Sequence, residues 1–537
     1  MKVYTPIRIK TAIHQRWAHF FSNQRWKQLI SQTHQSQIAQ PEERPVIFFN
    51  ASTRLQSMSQ NAAYSLLASL GLRAQGIPVL YFVCNAGIDR CILGSNRDDF
   101  TQAPPCDQCI HQSRQVFSGA PVTWLEPGVD AILKSLIQSF SLAELIKCKF
   151  QDVPLGFWAV NSLRWVLRRH TLPDDEITRN FMRSFILSGW NVYQQFQAMV
   201  DKCNPQAVVV FNGMFFPEAA VRHACLNRGI KVITHEVDIQ PLTAFFTDGE
   251  ATAYPLEIPD EFELTPSMNS RLDDYLQRRF QGDFTMAGIK FWPQINALDE
   301  SLKTKMAAFN RIIPVFTNVI FDTSQVHANT IFPDMFTWLE VVRQAALTNP
   351  DTLFIIRAHP DEGREGKESR ESVAQWVERN SLQKLSNIVF IDTDERVSSY
   401  ELIHQAHFVM VYNSTIGLEA TLLGRLVLTA AKSRYTQLPT TLYPHSQAEY
   451  LEKLRELLKS ETRAVPPEYT LNARRFLYKQ LFMSSLPFEK FLEPDKFWKG
   501  YVTLKPTDMD DLLPVHSETI RTINDAILYG RSFELKS

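Results

Sequence analysis

A polar turn between a buried strand and a helix is the stretch of this chain best suited to holding a phosphate. Residues 408–428 read FVMVYNSTIGLEATLLGRLVL: an apolar run of strand length, the small polar residues Asn413 to Thr415, then apolar residues at helical spacing. Backbone N–H groups at such a helix start lack partners inside the helix, and the helix dipole adds positive charge. Gly417 would let a ligand approach the backbone, and Glu419 could reach a ribose hydroxyl. An ordinary strand–turn–helix with a Ser/Thr cap is the alternative interpretation.

A histidine after an earlier strand would add a hydrogen-bond donor at the same place. The apolar strand Leu353 to Ile356 is followed by Arg357, Ala358 and His359. We expect this strand to neighbour the one before Ser414 and Thr415, because parallel strands end at a common edge of their sheet. An imidazole, two hydroxyls and a helix N-terminus would then converge. Such a set suits a diphosphate or a nucleotide phosphate, without an obligatory metal.

An acidic residue at another predicted strand end is a candidate general base. The strand Lys231 to Thr234 runs directly into His235 and Glu236. A carboxylate at the C-terminal end of a parallel strand stands where substrates bind, so it can take a proton from an attacking hydroxyl. Solvating or capping a loop is the more ordinary use of such an acid.

Two further polar loops follow strands in the first half of the chain. The strand PVIFFN, residues 45–50, leads to Ser52 and Thr53, and the strand Ala207 to Phe211 leads to the turn Asn212-Gly213. Loops at the C-terminal ends of parallel strands commonly bind or transform a ligand. We therefore expect a second part of the site at these loops.

Four of the seven cysteines lie within one short region of the first half. They are Cys84, Cys91, Cys106 and Cys109, and the last two form a Cys-x-x-Cys pair. Four thiolates could close a tetrahedral zinc site in an irregular loop. The spacing differs from the paired Cys-x-x-Cys of ordinary zinc ribbons, and unliganded thiols are the alternative.

Size and composition restrict the class of protein. A chain of 537 residues is too long for one core, and 45% hydrophobic with 21% charged residues is typical of a globular protein. With a net charge of −1, the chain as a whole has no positive electrostatic field that would attract nucleic acid. Without a signal-peptide pattern or a membrane-spanning run, the sequence predicts a cytoplasmic protein. Residues 1–40 are basic and contain aromatic residues, which suits either an anionic membrane surface or a leader helix packed on the first domain.

Strands alternating with helices predict an α/β fold with two Rossmann-like, doubly wound domains facing a cleft. Extra helices are expected at the N-terminus, mid-chain and the C-terminus. The predicted organisation is a basic N-terminal segment (1–40), a first Rossmann-like domain with a cysteine-containing loop and a helical insertion (41–260), a connector (261–310), a second Rossmann-like domain (311–450) and C-terminal helices (451–537).

Several stretches carry a family resemblance. They are RAHP (357–360), YNSTIGLEATLLGRLVL (412–428), FTNVIFDTSQVHANTIFPDMFTWL (316–339) and VVVFNGMFFPEAAVRHACLNRGIKVITHE (208–236). Together they resemble the bacterial glycosyltransferases of capsule polysaccharide biosynthesis. That group has the GT-B fold and includes the Kdo transferases of capsule assembly and the CDP-glycerol glycerophosphotransferases. The resemblance covers roughly residues 205–440, with a further part at 45–110.

The resemblance implies transfer of a sugar from a nucleotide-sugar donor to a growing capsule or surface polysaccharide, or to a lipid-linked saccharide. The C-terminal domain would bind the donor and the N-terminal domain the acceptor. An inverting transferase also needs a base for the acceptor hydroxyl. The implied roles are donor binding by Arg357, His359, Asn413, Ser414, Thr415, Gly417 and Glu419, acceptor binding by Ser52, Thr53, Asn212 and Gly213, and proton acceptance by Glu236 or, as a second choice, Asp322.

Catalysis in this scheme requires no cofactor, so zinc at the cysteines would be structural. The expected location is the cytoplasm, with residues 1–40 touching the inner face of the membrane, and no nucleic acid is expected as partner. Two other enzyme classes use similar folds, namely polyol-phosphate transferases and UDP-sugar 2-epimerases. A 2-epimerase would release free sugar without an acceptor. A non-catalytic scaffold that binds a sugar nucleotide is the third hypothesis.

Overall fold

Two separate parallel sheets account for the strand–helix alternation of the sequence. The structure is a computed structural model that describes residues 20–33, 43–51, 58–281, 298–461, 464–496 and 498–536. Its strands are β1 (Val46–Asn50), β2 (Met58–Ser59), β3 (Val79–Cys84), β4 (Val122–Leu125), β5 (Ala207–Phe211), β6 (Lys231–Val237), β7 (Thr243–Thr247), β8 (Arg311–Phe316), β9 (Thr352–Arg357), β10 (Ile388–Ile391), β11 (Val409–Val411), β12 (Val427–Thr429), β13 (Leu486–Pro487), β14 (Leu492–Pro494) and β15 (Tyr501–Leu504).

Helices cover both sheets and fill the connections between strands. They are α1 (20–33), α2 (Gln60–Ala74), α3 (Cys106–Val116), α4 (Ala131–Ile137), α5 (Leu142–Ile146), α6 (Leu155–Leu167), α7 (Glu176–Cys203), α8 (Phe216–Leu226), α9 (Pro266–Phe280), α10 (Glu300–Ala307), α11 (Gln325–Ala328), α12 (Met335–Thr348), α13 (Val373–Arg379), α14 (Ser399–Gln405), α15 (Ile416–Leu422), α16 (Gln447–Lys459), α17 (Pro467–Lys479) and α18 (Glu518–Tyr529).

The first sheet has seven strands in the order β13-β7-β6-β5-β1-β3-β4. Strands β4, β3, β1, β5 and β6 run parallel, and at one edge β7 pairs antiparallel with both β6 and β13. The central strands are continuous apolar runs because helices cover both faces of a parallel sheet. Helices α4 to α7 lie between β4 and β5 and pack one face with Phe185, Trp190 and Phe196.

The second sheet has five parallel strands in the order β10-β9-β8-β11-β12. Its core contains Trp338 of α12 and Tyr450 of α16, and the Trp338 indole N–H donates to the Tyr450 hydroxyl at 2.7 Å. The α/β fold with two Rossmann-like, doubly wound units, predicted from the sequence, is confirmed.

The C-terminal part of the chain returns to the first domain and is not only helical. Residues 486–487 form the edge strand β13 of the first sheet, and β14 and β15 form a small antiparallel sheet with β2. The C-terminal helices predicted for residues 451–537 correspond to α17, α18 and most of α16, and the short strands β13, β14 and β15 lie between α17 and α18. Short strands beside Pro487 and Pro494 give no helical or alternating pattern long enough to recognise.

Helix α1 is the described part of the predicted basic segment, and it packs on the first domain. Trp26 is buried in the core that includes Phe48 and Tyr81, and the Arg25 guanidinium donates to the carbonyl of Leu504 at 2.8 Å. Phe20 and Phe21 stay more than half exposed. None of the helices in the described ranges is both long and apolar enough to cross a membrane.

Candidate functional site

The carboxyl ends of the two parallel sheets meet at the junction of the domains. The amide of Asn212, which follows β5, donates to the hydroxyl of Thr323, which follows β8, at 3.3 Å. His327 Nε2 lies 3.2 Å from Glu250 Oε2, and this pair joins α11 to the loop after β7. The loops that most often carry ligands in parallel α/β folds therefore face one another.

Glu236 stands on the first-domain side of this junction and is held by three donors. Its carboxylate accepts hydrogen bonds from Asn61 Nδ2 at 3.0 Å, from Asn212 Nδ2 at 2.8 Å and from the Val237 backbone N–H at 2.9 Å. Burial raises the pKa of Glu236, the three bonds oppose that rise, and the charge of Asp322 adds to it. A fixed carboxylate with a raised pKa is a stronger base than an exposed one.

The predicted turn at Asn212-Gly213 positions one of these donors. Asn212 has a φ of 56° and Gly213 a φ of 84°, which favour Asn and Gly. A Cβ on Gly213 would lie 2.8 Å from Arg222 Cδ. The Asn212 side chain is consequently held between Glu236 and Thr323. Asn212 therefore touches the candidate base directly, and Gly213 acts through the backbone.

Asp322 and His359 stand on the second-domain side. Asp322 is exposed, and its Oδ1 accepts bonds from the Ser324 backbone N–H at 2.9 Å and the Ser324 hydroxyl at 2.6 Å. Its charge raises the pKa of both Glu236 and His359, so Asp322 lies within electrostatic range of each of them. The structure thus brings both candidate bases and the candidate phosphate ligand to one place.

Hydrogen bonding sets the tautomer of His359. The imidazole Nδ1 accepts the Asp361 backbone N–H at 3.2 Å, so the neutral ring carries its proton on Nε2. Burial lowers the pKa of His359, although Asp361 and Asp322 oppose this effect. The Thr317 hydroxyl accepts the His359 backbone N–H at 3.1 Å and anchors the loop. His359 is therefore a neutral donor through Nε2.

We predict a pH profile from the Glu236–Asp322 pair. A base must be deprotonated, so its raised pKa places the acidic limb of kcat/KM at a higher pH than for an ordinary carboxyl. Asp322→Asn removes a charge that raises this pKa, so the acidic limb should move to lower pH. The exposed Asp394→Asn should leave the limb in place. An unmoved limb in Asp322→Asn would contradict the coupling.

The polar turn after β11 lies one strand further from His359 than expected. Strand β8 separates β9 from β11, so the expectation that they are neighbours is wrong. The residues after β8 bridge the gap, since Asn318 Nδ2 donates to Asn413 Oδ1 at 2.6 Å. The backbone N–H groups of Thr415 and Ile416 make no hydrogen bond to any residue that the structure describes.

Gly417 serves packing rather than ligand approach. A Cβ at this position would lie 2.3 Å from the Tyr435 hydroxyl and 3.0 Å from Val411 Cγ2. The same hydroxyl donates to the carbonyl of Ser414 at 2.9 Å. The space that we assigned to a ligand is therefore filled by Tyr435, which supports the turn from beneath.

Gly417→Ala should destabilise the protein by about 1–3 kcal/mol, because the new methyl group overpacks this site. Adding Tyr435→Phe removes the atom that it would strike, so the double variant should recover part of the loss. Chemical unfolding of wild type, both single variants and the double variant measures this coupling. Strictly additive effects would show that the hydroxyl is not the obstacle.

Glu419 is engaged in a structural network rather than exposed to a ribose. Its two carboxylate oxygens contact Arg279 Nη2 at 2.7 Å and the Tyr400 hydroxyl at 2.6 Å, and the residue is 5% exposed. Burial alone would lower the pKa of Arg279, but Glu419 raises it overall. The expectation that Glu419 binds a sugar is not supported, because its oxygens join α15 to α9.

Arg357 is also buried, at 3% exposure, as the last residue of β9. Burial lowers the pKa of Arg357 to about 10, opposed by the charge of Glu395. Its carbonyl accepts a bond from the Thr317 hydroxyl at 2.9 Å. Arg357 thus lies beneath the His359 loop and would act on a donor through that loop.

Three basic residues near His359 escaped the sequence-based interpretation. Lys367 and Arg364 lie in the loop that follows His359, and Arg97 comes from the first domain. The Lys367 ammonium is within electrostatic range of Arg364, Arg97, Asp361 and Asp322. Arg97 stacks over Trp165 with 3.4 Å between its guanidinium carbon and the ring centroid. Arg364 and Lys367 lie in the mixed-charge stretch DEGREGKESR (361–370) after the RAHP motif, in which acids outnumber bases, so the sequence carried no basic signal there.

The other predicted positions divide into two groups. Ser52 and Thr53 lie outside the described residues. The four cysteines are brought together around one cavity beside the end of β3, away from His359. Asn61, Thr317 and Asn318 were missed. Thr317 and Asn318 lie within the apolar stretch 312–321, which the sequence predicts as one strand, whereas β8 ends at Phe316.

Comparison with known proteins supports a family assignment for part of the chain. Residues 283–453 match the family model described as Capsule polysaccharide biosynthesis protein. The resemblance that the sequence motifs carry is thus confirmed over this part. Protein FixF of Sinorhizobium fredii is 29% identical over 233 residues, which are 42% of this chain and 49% of that protein. The chain spans about half the length of this curated relative.

Solved structures with similar folds include two sugar-processing enzymes. KpsC of Thermosulfurimonas dismutans, a beta Kdo 2,4 transferase, aligns with 12% identity and a TM-score of 0.35 over 57% of this chain and 87% of that chain. The UDP-GlcNAc 2-epimerase of Neisseria meningitidis, bound to UDP-GlcNAc, aligns with 12% identity and a TM-score of 0.24 over 81% and 98%. Similarity at this level does not identify an activity.

Proposed function

We propose that the protein is a glycosyltransferase of the GT-B type. It would move a sugar from a nucleotide-sugar donor to a hydroxyl of a saccharide or lipid-linked saccharide during capsule or surface polysaccharide assembly. The observation that carries the proposal is that Asp322 lies within electrostatic range of both Glu236, across the domain junction, and His359. The match of residues 283–453 to a capsule biosynthesis family supports the proposed pathway.

The second domain would bind the donor phosphates. His359 Nε2–H would donate to a phosphate oxygen. The backbone N–H groups of Thr415 and Ile416 would supply further donors from the far side of Asn318, which links the two loops. Lys367 and Arg364 would add positive charge on the same side. These groups would stabilise the negative charge that develops on the leaving nucleotide. They would therefore bind the transition state more strongly than the ground state, which lowers the activation barrier. No step in this scheme calls for a metal ion.

The first domain would hold the acceptor hydroxyl and take its proton. The acceptor oxygen would bond to the anomeric carbon while the bond from that carbon to the phosphate oxygen breaks. Glu236 would receive the hydroxyl proton, and the bond electrons would leave with the nucleotide. Asn61 and Asn212 keep the Glu236 carboxylate oriented for this transfer. Asp322, which is exposed and bonded to Ser324, would tune the base electrostatically.

We also propose that the reaction takes place at the cytoplasmic face of the membrane, where a lipid-linked acceptor would be presented. Phe20 and Phe21 of α1 are large apolar residues of segment 1–40 that are exposed and available for such contact. The buried Trp26 is not, because it belongs to the core of the first domain.

Product analysis tests the proposed activity. The protein is incubated with CMP-, CDP-, UDP- and GDP-sugars, each with and without a saccharide acceptor, and products are separated by mass. Transfer that requires the acceptor supports the proposal. If free sugar is released from a UDP-sugar in the absence of acceptor, the activity is 2-epimerisation and the glycosyltransferase proposal is wrong. If a polyol phosphate is transferred, the protein is a polyol-phosphate transferase instead. Binding of a nucleotide sugar without any turnover would favour a scaffold.

A further inference from the structure

Four cysteine side chains surround one small cavity at the edge of the first sheet. Cys84 ends β3, Cys91 lies in the loop after it, and Cys106 and Cys109 stand one turn apart at the start of α3. All four line a cavity of about 80 Å³. Every pair of these thiols is close enough for mutual electrostatic effects. The fold has therefore gathered four sulfur atoms from three elements.

The backbone around two of the sulfurs is arranged to support negative charge. The Gly94 N–H donates to Cys91 Sγ at 3.0 Å, and the backbone N–H groups of Ala86, Gly87 and Ile88 lie close enough to the Cys84 sulfur to oppose the rise in its pKa that burial causes. A Cβ on Gly94 would lie 2.7 Å from Cys91 Sγ, so this tight turn requires glycine. Backbone donors to thiolate sulfur are a common second layer around bound metals.

The lining of the cavity argues against a reactive thiol. Besides the cysteines, the described residues around it are aliphatic, apart from Tyr501, and include no Lys, Arg or His. A nucleophilic cysteine needs a nearby cation or base to hold its thiolate. Four sulfur ligands without such a partner instead match a divalent metal, which supplies the positive charge itself.

We propose that Cys84, Cys91, Cys106 and Cys109 bind one Zn²⁺ in a structural tetrathiolate site. Thiolate sulfur favours zinc over the hard cations, and four such ligands complete its tetrahedral shell. The small cavity suits a single ion better than a multi-iron cluster. This inference is independent of the proposed function.

Binding requires the cysteine side chains to turn toward one another. Among the described residues, no group of three or more His, Cys, Asp or Glu side chains is already arranged to hold a metal ion. Rotation about the Cα–Cβ bond moves a sulfur without moving the backbone, and the cavity between the thiols leaves room for it. Metal binding and local ordering are coupled in such sites.

The metal would fix a loop that reaches the domain junction. Residues 92–105 connect Cys91 to Cys106, and within them Asp98 pairs with Arg168 and, at 3.2 Å, with Arg370 of the second domain. The Arg370 guanidinium also donates to the Arg97 carbonyl at 2.6 Å. Zinc would thus hold both ends of a loop that contacts both domains.

Metal analysis of the full chain, purified without a histidine tag in reducing buffer, tests the site. We expect about one zinc per chain, as one tetrathiolate site requires. The Cys106→Ser/Cys109→Ser variant should lose it, whereas Cys203→Ser should keep it, because Cys203 ends α7 outside the cavity. Cobalt-substituted wild type should show the strong visible absorption of tetrahedral thiolate coordination, a test that does not depend on the variant folding.

Four outcomes would overturn the proposal. They are wild-type protein without zinc, iron with the absorption of an iron–sulfur cluster, equal zinc in the double variant and the wild type, and native disulfides among the four cysteines when freshly lysed cells are alkylated before any reductant is added.

Discussion

Replacing Glu236 with glutamine should lower the turnover number for sugar transfer by about 10²- to 10⁴-fold, the usual contribution of a general base. Donor affinity should stay unchanged, because Glu236 lies on the acceptor side of the junction. Glutamine has nearly the same shape, and the Asn61 amide oxygen, which has no hydrogen-bond partner among the described residues, can turn to accept its new N–H. The measurement is steady-state transfer together with donor titration.

Glu250→Gln is the matched control. Glu250 also stands at the junction, where its carboxylate contacts Arg222 at 2.9 Å and His327 at 3.2 Å, so its loss perturbs interdomain contacts without removing the proposed base. We expect a much smaller effect on turnover than for Glu236→Gln. Equal losses of turnover in both variants would mean that disruption of the domain junction, rather than loss of a base, causes the effect.

Replacing His359 with alanine should weaken donor binding by about 10- to 100-fold, because a hydrogen bond to a charged group contributes about 1.5–3 kcal/mol. His359→Gln keeps an N–H donor and should recover part of the affinity. Thermal-shift titration with a nucleotide panel provides the measurement, since a ligand at 100 times its Kd stabilises by about 2.7 kcal/mol.

The control for this series is His404→Ala, which removes an exposed imidazole from α14 of the same domain. It should bind the donor as the wild type does. If His359→Ala keeps full affinity, the phosphate assignment of the second domain is wrong. If His359→Gln binds no better than His359→Ala, the side chain holds the loop rather than the phosphate.

Hydrophobic patterning predicted the elements that build both sheets. The strand expected at Ala207 to Phe211 is β5 residue for residue, and the strand expected at residues 45–50 is β1 with its first residue one position later. These elements are regular and end at recognisable turns. The rule that ligand loops follow the carboxyl ends of parallel strands predicted polar loops at Glu236 and His359, and the structure brings both within electrostatic range of Asp322.

Strand order and helix orientation could not be predicted in the same way. The insertion of β8 between β9 and β11 depends on how the chain winds, and it separates His359 from Ser414. The sequence does not reveal that Arg279, 140 residues earlier, meets Glu419, or that Tyr435 lies against Gly417. Asn61 was missed because its carboxylate partner lies 175 residues away.

Single-turnover transfer combined with equilibrium donor binding tests the central claim most directly. Wild type, Glu236→Gln and His359→Ala are compared with the nucleotide sugar that the product assay identifies. The account predicts that Glu236→Gln binds the donor normally but transfers it slowly, whereas His359→Ala loses donor affinity. Wild-type transfer by Glu236→Gln, or equal loss of donor binding in both variants, would contradict a division of labour between a base in the first domain and a phosphate ligand in the second.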